Sequence, residues 1–171
     1  KKPIYRRSFT ADYYLFDFKN KEIKPLSEGG SQRLATFSPT GLQVAFVRDN
    51  NLFIHDIRFG SERQITRDGQ YNHIINGAPD WVYEEEFAFN RAFEWAPDGS
   101  AIAYIKFDES DVREFQMNMF EGQSPALKQN ELYPSNYVYK YPKAGEKNSK
   151  VSVYVYDVSD RTTTKMDTGE E

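Results

Sequence analysis

The 171 residues suffice for one domain with a sizeable core, and 39% hydrophobic with 16% aromatic content (12 Tyr, 13 Phe) points to a folded, β-rich chain. A net charge of −4 argues against nucleic acid as the main partner, and the absence of Cys excludes disulfides and thiolate metal sites. Only His55 and His73 exist, so no multi-histidine metal centre is expected, and no apolar run approaches the ~18 residues of a membrane span.

In chain order, the first clear unit is Tyr13–Leu26, two strand-like stretches joined by a polar turn that opens on Asp17. The same unit returns at Leu52–Thr66 with Asp56 and at Val151–Met166 with Asp157. A second repeated unit alternates with it. The Pro-x-Gly turn Ser38-Pro39-Thr40-Gly41 leads into Leu42-Gln43-Val44-Ala45-Phe46-Val47, and Ala96-Pro97-Asp98-Gly99 leads likewise into Ser100-Ala101-Ile102-Ala103-Tyr104-Ile105. Ala35-Thr36-Phe37 and Phe93-Glu94-Trp95 read as the strands ahead of those turns. Alternation of the two units builds strand–turn–strand–turn blades, and the 39-residue step from Asp17 to Asp56 suits four strands per blade. The expected fold class is all-β, a partial β-propeller of about two to three four-stranded blades: two blades plus the last hairpin of an earlier one.

The step from Asp56 to Asp157 is 101 residues, so about 60 residues are inserted there. One excursion runs from Asp68 to Phe89. The other runs from Phe107 to Lys150, with a weakly helical patch near Val112–Phe120 and a loop from Glu131 through Tyr141-Pro142-Lys143-Ala144-Gly145. Pro125, Pro134 and Pro142 argue against a long helix there. Tyr133, Tyr137, Tyr139 and Tyr141 nearly alternate and read as a packed or partner-facing strand. Function is expected in the excursions, because a rigid frame carries chemistry on its loops. Two or three blades leave strand edges open, so this piece alone is expected to be marginal and to depend on further blades or self-association. The start at Lys1-Lys2-Pro3 without an initiator Met, and the end without a closing element, fit a segment of something larger.

The first excursion holds the most informative string, Asp80-Trp81-Val82-Tyr83-Glu84-Glu85-Glu86-Phe87. Three consecutive carboxylates repel one another, and near apolar neighbours each is costly unless a cation answers it. They either stay in water as a solvated acidic bump or aim at a positive partner. A short helical turn is the expected carrier: Asp80 after Pro79 suits an N-cap, and acidic residues in a first turn are favoured by the helix dipole. At about 100° per residue, Tyr83 and Phe87 share a face that can pin the turn, while Glu85 and Glu86 diverge little enough to converge on one small cation.

That string resembles the double-glutamate motif of the dipeptidyl peptidase IV family of serine exopeptidases. Tyr141-Pro142-Lys143-Ala144-Gly145 is similar to another signature of the family, and Arg6-Arg7-Ser8-Phe9-Thr10-Ala11 followed by Tyr13–Phe18 resembles its segment with a substrate-contacting arginine. The resemblance implies an eight-bladed N-terminal β-propeller from which a short helix presents two glutamates, here Glu85 and Glu86, to the free N-terminus of a peptide. It places the arginine at Arg6, with Arg7 adjacent. Glu84 receives no substrate contact from the pattern, and a scaffold hydrogen bond or solvent exposure is expected for it. The implied parent releases X-Pro or X-Ala dipeptides through a catalytic α/β-hydrolase domain outside residues 1–171, and a homodimer through propeller excursions is a further implied partner.

The sequence contains no G-x-S-x-G nucleophile elbow. His55 sits mid-strand beside Phe53 and Ile57, and His73 in a loop, both read as structural. Gly29-Gly30 is an ordinary turn, so no cofactor is expected, and Asp49-Asn50-Asn51 reads as a hairpin turn and not a calcium loop. This segment is expected to bind and orient substrate while catalysis lies elsewhere. A non-catalytic propeller interaction module, or a tripeptidyl peptidase of the same kind, are the alternatives; an aromatic nucleic-acid sheet is disfavoured by the acidic balance. The lack of Cys and of an N-x-Ser/Thr sequon fits an exported bacterial protein, periplasmic or at the cell surface.

Overall fold

A short antiparallel pair, β1 (Lys2–Pro3) with β2 (Phe9–Thr10), opens the chain in the computed structural model, which describes residues 1–120 and 133–169. The hairpin of β3 (Tyr14–Asp17) and β4 (Glu22–Pro25) follows. Next comes a four-stranded antiparallel meander, β5 (Arg33–Phe37), β6 (Gln43–Arg48), β7 (Asn51–Asp56) and β8 (Ser61–Gln64). The second large sheet contains β9 (Ile74–Asn76), β10 (Phe93–Trp95), β11 (Ala101–Asp108), β14 (Lys150–Asp157) and β15 (Thr163–Lys165). Helix α1 (Trp81–Phe87) lies between β9 and β10, and a side hairpin of β12 (Glu114–Met119) with β13 (Ser135–Lys140) lies between β11 and β14. The architecture is the expected one: two blades and the last hairpin of an earlier blade, with open sheets.

The repeated turns account for the repeated strands. Oδ1 of Asp17 accepts from the N–H groups of Lys19 and Asn20, Oδ1 of Asp56 from Arg58 and Phe59, and Oδ1 of Asp157 from Ser159 and Asp160. Each turn then passes through a left-handed residue, Lys21, Gly60 or Arg161, at φ 56°, 60° and 59°. In the other unit, Gly41 and Gly99 at φ 70° and 76° donate back to the carbonyls of Ser38 and Ala96. Asp49 and Asn50, both at positive φ, form the two-residue link of the β6–β7 hairpin.

Strand alternation divides the core. Along β6, Val44 and Phe46 join Leu26 and Phe53 under the β3–β4 hairpin, while Ala45 and Val47 join Leu52, Ile54, Phe93, Ile102 and Phe107 toward the next blade. The middle strands of this blade are thus apolar on both faces, because a neighbour covers each.

Three expectations are corrected. Val112–Phe120 is not helical: Glu114–Met119 is a strand paired residue for residue with Ser135–Lys140, as the period-2 alternation of Phe115, Met117 and Met119 with polar residues dictates. The loop expected from Glu131 becomes strand at Ser135, consistent with the alternating tyrosines; Glu131 and Pro125 lie outside the described residues. The first excursion is also shorter than Asp68–Phe89. Ile74–Asn76 still pairs with β11, along the same edge as β10. The inner strand of the blade is therefore split in two around Ile105. Gly77 donates to the Ile105 carbonyl, Ala92 accepts from the Ile105 N–H, and Ala92 donates to Gly77 at 3.1 Å. The excursion leaves at Gly77 (φ 75°) and returns at Ala92, its two ends hydrogen-bonded together.

Candidate functional site: a buttressed glutamate helix

Asp80 caps the helix as its sequence position predicts. Its backbone is extended and Oδ1 accepts from the Tyr83 N–H at 2.9 Å. The other oxygen accepts from the Ser149 hydroxyl, which ties the cap to the far end of the second excursion. Burial raises the Asp80 carboxyl above the usual range, against the pull of these hydrogen bonds. Trp81 packs on Tyr141 at 4.4 Å between centroids and on Tyr139 at 6.5 Å, and Tyr83 stands edge-on to Phe107 at 4.9 Å. The expected Tyr83–Phe87 pair is present at 5.0 Å, yet only Tyr83 pins the helix, since Phe87 is 63% exposed. The helix ends at Ala88 in the left-handed conformation, and Arg7 Nη1 donates to the Ala88 carbonyl at 3.2 Å.

Steps of about 100° send the three glutamates in three directions. Glu84 points inward and is 1% exposed; its Oε1 accepts from the backbone N–H groups of Arg7 at 2.7 Å and Ser8 at 3.0 Å. It is the scaffold contact anticipated as one of its two fates. Glu85 is half-buried and meets Arg6 in a two-pronged pair, Nε to Oε2 at 3.0 Å and Nη2 to Oε1 at 2.8 Å. Glu86 is exposed at the outer surface of the turn. Arg6 and Arg7 are thereby told apart: Arg6 presents its guanidinium to the glutamate face, while Arg7 closes the end of the helix. The structure brings Arg6 to Glu85, while Glu86, the next residue on the helix, is exposed and makes no contact with Arg6 among those described.

Beneath the helix lies a buried charged group that the sequence did not advertise. Arg33, Glu109 and Lys140 are all buried. Burial pulls Arg33 down to about 10, against the attraction of Tyr5, Glu84 and Glu109. Glu109 is pushed up to about 7 by burial and by Asp80, with partial relief from Lys140 and Arg33. Lys140 donates to the Val112 carbonyl at 2.8 Å. Arg33 is on β5, Lys140 on β13 and Glu109 just past the end of β11, with no shared spacing, so nothing local marks them.

His55 lies within β7 opposite Val44, and His73 Nδ1 is 3.4 Å from the Ser110 hydroxyl, both structural positions. Among the described residues no group of three or more His, Asp or Glu could hold a metal ion, and no helix is long and apolar enough to cross a membrane. A cleft of about 450 Å³ adjoins the helix end, bordered by Tyr13, Leu34, Ala88, Phe89 and Arg91. A larger groove of about 940 Å³ between the β3–β4 hairpin and the β7–β8 turn is lined by none of Glu84, Glu85 and Glu86.

Four-stranded antiparallel blades, one with its inner strand split to carry a glutamate helix, define a β-propeller segment with a helical excursion. The chain belongs to the dipeptidyl peptidase IV family: all of residues 1–171 match the dipeptidyl peptidase IV (DPP IV) N-terminal region. It is 42% identical over 164 residues to the "Probable dipeptidyl-aminopeptidase B" of Trichophyton verrucosum, covering 92% of this chain and 18% of that protein. A protein of the same name from Emericella nidulans is 40% identical over 176 residues, covering 98% and 19%. The crystal structure of Porphyromonas gingivalis dipeptidyl peptidase 4 superposes with a TM-score of 0.90 at 47% identity, over 99% of this chain and 23% of that one. A Bacteroides ovatus structure, at a TM-score of 0.65 and 20% identity over 92% of this chain and 20% of that one, supports the fold alone. The chain thus spans about a fifth of the length of these relatives.

Proposed function

We propose that this segment is part of the N-terminal β-propeller of a serine dipeptidyl peptidase, and that it holds the free N-terminus of a peptide against Glu85 and Glu86. The observation that carries the reading is the pairing of two adjacent carboxylates, one half-buried and one exposed, on a helix fixed at both ends by Asp80, Ser149 and Arg7. An α-amino group has a pKa near 8 and is mostly cationic at neutral pH. Two carboxylates about 4 Å away would each contribute up to roughly 4 kcal/mol at an effective dielectric near 20, before desolvation is subtracted. An internal peptide bond has no such charge. Anchoring the ammonium therefore admits exopeptidase substrates only, and sets how far along the peptide the nucleophile reaches. Arg6, already paired with Glu85, relieves repulsion between the glutamates in the empty site and can donate to backbone carbonyls of the substrate.

Release of X-Pro or X-Ala dipeptides requires the triad of an α/β-hydrolase domain elsewhere in the full-length protein. Export to the periplasm or cell surface, and a homodimer through the side hairpin with its partly exposed Phe115 and Met117, belong to the same proposal. The test compares a free-amino X-Pro anilide with its N-acetylated counterpart on the full-length protein. Cleavage of the first and not the second is expected; equal rates on both would remove the ammonium anchor. A product of three residues would favour the tripeptidyl alternative, and no hydrolysis at all a non-catalytic propeller.

A further inference from the structure

We infer that Glu84, the first glutamate of the run, is the positioning residue for Arg6, and so sets the geometry of a site it does not itself enter. The inference rests on the reading of Arg6, Glu85 and Glu86 as the substrate-binding corner. Residues 4–8 reach this corner as a strap from the N-terminus, and Arg6 is on its outer side, with 72% of its side chain exposed. Little packing holds such a side chain. The strap closes on itself through the Ile4 N–H to the Ser8 carbonyl and the Tyr5 N–H to the Ser8 hydroxyl. What ties its backbone to the helix beside Arg6 is one carboxylate oxygen that accepts from two consecutive N–H groups, those of Arg7 and Ser8. A carboxylate acceptor makes these bonds stronger than neutral ones, and burial of Glu84 at 1% exposure removes water as a competitor.

Three features make the arrangement a coupling device and not a mere surface contact. Glu84 and Glu85 are neighbours on one short helix, so the group that grips the strap and the group that pairs with Arg6 move as a unit. Arg7 returns from the strap to the Ala88 carbonyl, which gives a second tie at the other end of the same helix. The second oxygen of Glu84 has no hydrogen-bond partner in the described structure, and buried Arg33 lies close enough to attract the carboxylate. The hydrogen bonds this side chain accepts are thus those of Oε1 to the strap. Glu84 fixes the strap backbone, the strap sets where Arg6 sits, and Arg6 with Glu85 shapes the ammonium corner.

The test uses the full-length protein and two readouts. Amide exchange should show the Arg7 and Ser8 N–H groups protected in the wild type, with exchange at least ~10-fold faster in Glu84→Ala and the blade strands unchanged. Kinetics should show Glu84→Ala lowering kcat/KM by roughly 10- to 50-fold, mainly through KM, and having no further effect once Arg6→Ala is present. Glu84→Gln, which keeps an acceptor, should recover most of the loss. Independent, multiplying effects of Glu84→Ala and Arg6→Ala, or rapid wild-type exchange at Arg7 and Ser8, would overturn the inference. If Glu84→Ala does not fold, Glu84→Asp, one methylene short of both donors, enters the same cycle with the same expected outcome. Glu85→Gln run alongside separates the two levels: wild-type activity there defeats the substrate-site reading itself, while the exchange readout still judges the grip on the strap.

Discussion

Arg6 and Glu85, 79 positions apart in the chain, meet through two parallel contacts of 3.0 and 2.8 Å, and this pair joins the N-terminal strap to the glutamate helix. The fork of a guanidinium matches the two oxygens of a carboxylate, so the pair fixes orientation as well as distance. With Arg6 largely exposed, its contribution to stability is small, of the order of 1 kcal/mol or less. Under the proposed function its consequence is for binding.

Arg6→Ala and Arg7→Ala should therefore separate. Arg6→Ala is expected to raise KM for a dipeptidyl substrate by about tenfold or more with little change in Tm, since a charge-assisted contact to substrate is worth about 1.5–3 kcal/mol. Arg7→Ala should act mainly on the helix end, with a loss near 1 kcal/mol and a smaller kinetic effect. Steady-state kinetics and thermal unfolding of both variants decide this, and the reverse ranking would move the substrate contact to Arg7.

Glu85→Gln and Glu86→Gln remove charge while keeping shape. Each is expected to lower kcat/KM on free-amino dipeptidyl substrates by about 10²- to 10³-fold, the scale of a 3–4 kcal/mol loss. Circular dichroism and Tm should stay near wild type, since Glu86 is exposed and Glu85 only half-buried. Wild-type kcat/KM in both variants would remove the glutamates from substrate binding.

Tyr83 and Phe87 lie one helical turn apart and should differ sharply. Tyr83→Ala takes away the ring that packs on Phe107 and Phe89, for a destabilisation of about 2–3 kcal/mol. Phe87→Ala, at an exposed position, should stay within about 0.5 kcal/mol. Urea unfolding of the two variants compares them directly.

Glu109 predicts a pH dependence. Burial, then Asp80, raises its carboxyl from the ordinary 4.5 to about 7. Between those values the native state holds a proton that the unfolded chain has released, so stability falls as pH rises. The contribution of the neutral form is complete below about pH 4.5 and lost above about pH 7, on the order of 3 kcal/mol in all. Tm measured from pH 5 to pH 8 should decline in the wild type, and Glu109→Gln should flatten the decline. An unchanged slope in the variant would assign the effect to another group.

Much of the architecture was legible because it rests on local chemistry. Asp17, Asp56 and Asp157 each satisfy the backbone of their own turn, Gly41 and Gly99 supply positive φ where each turn requires it, and Asp80 caps the residue three positions on. Each of these interactions spans only a few residues, so the chain order alone contains it. The split of the inner blade strand around Ile105 was not legible, since Ile74–Asn76 is recognisable as strand only beside Lys106–Asp108. The strand at Glu114–Met119 is a different case: its period-2 alternation is local and legible, and the expectation of a helix there passes over it.

The sequence by itself determined the repeat, the turns and the presence of three carboxylates on one short helix. The tertiary structure decided which way each carboxylate faces, which arginine meets Glu85, and that Glu84 is spent on the strap. The physical reason is range. Turn and cap bonds close within a few residues, whereas burial of Glu84, the Asp80–Ser149 tie and the Arg6–Glu85 pair arise only once segments roughly 70 to 80 positions apart are packed together.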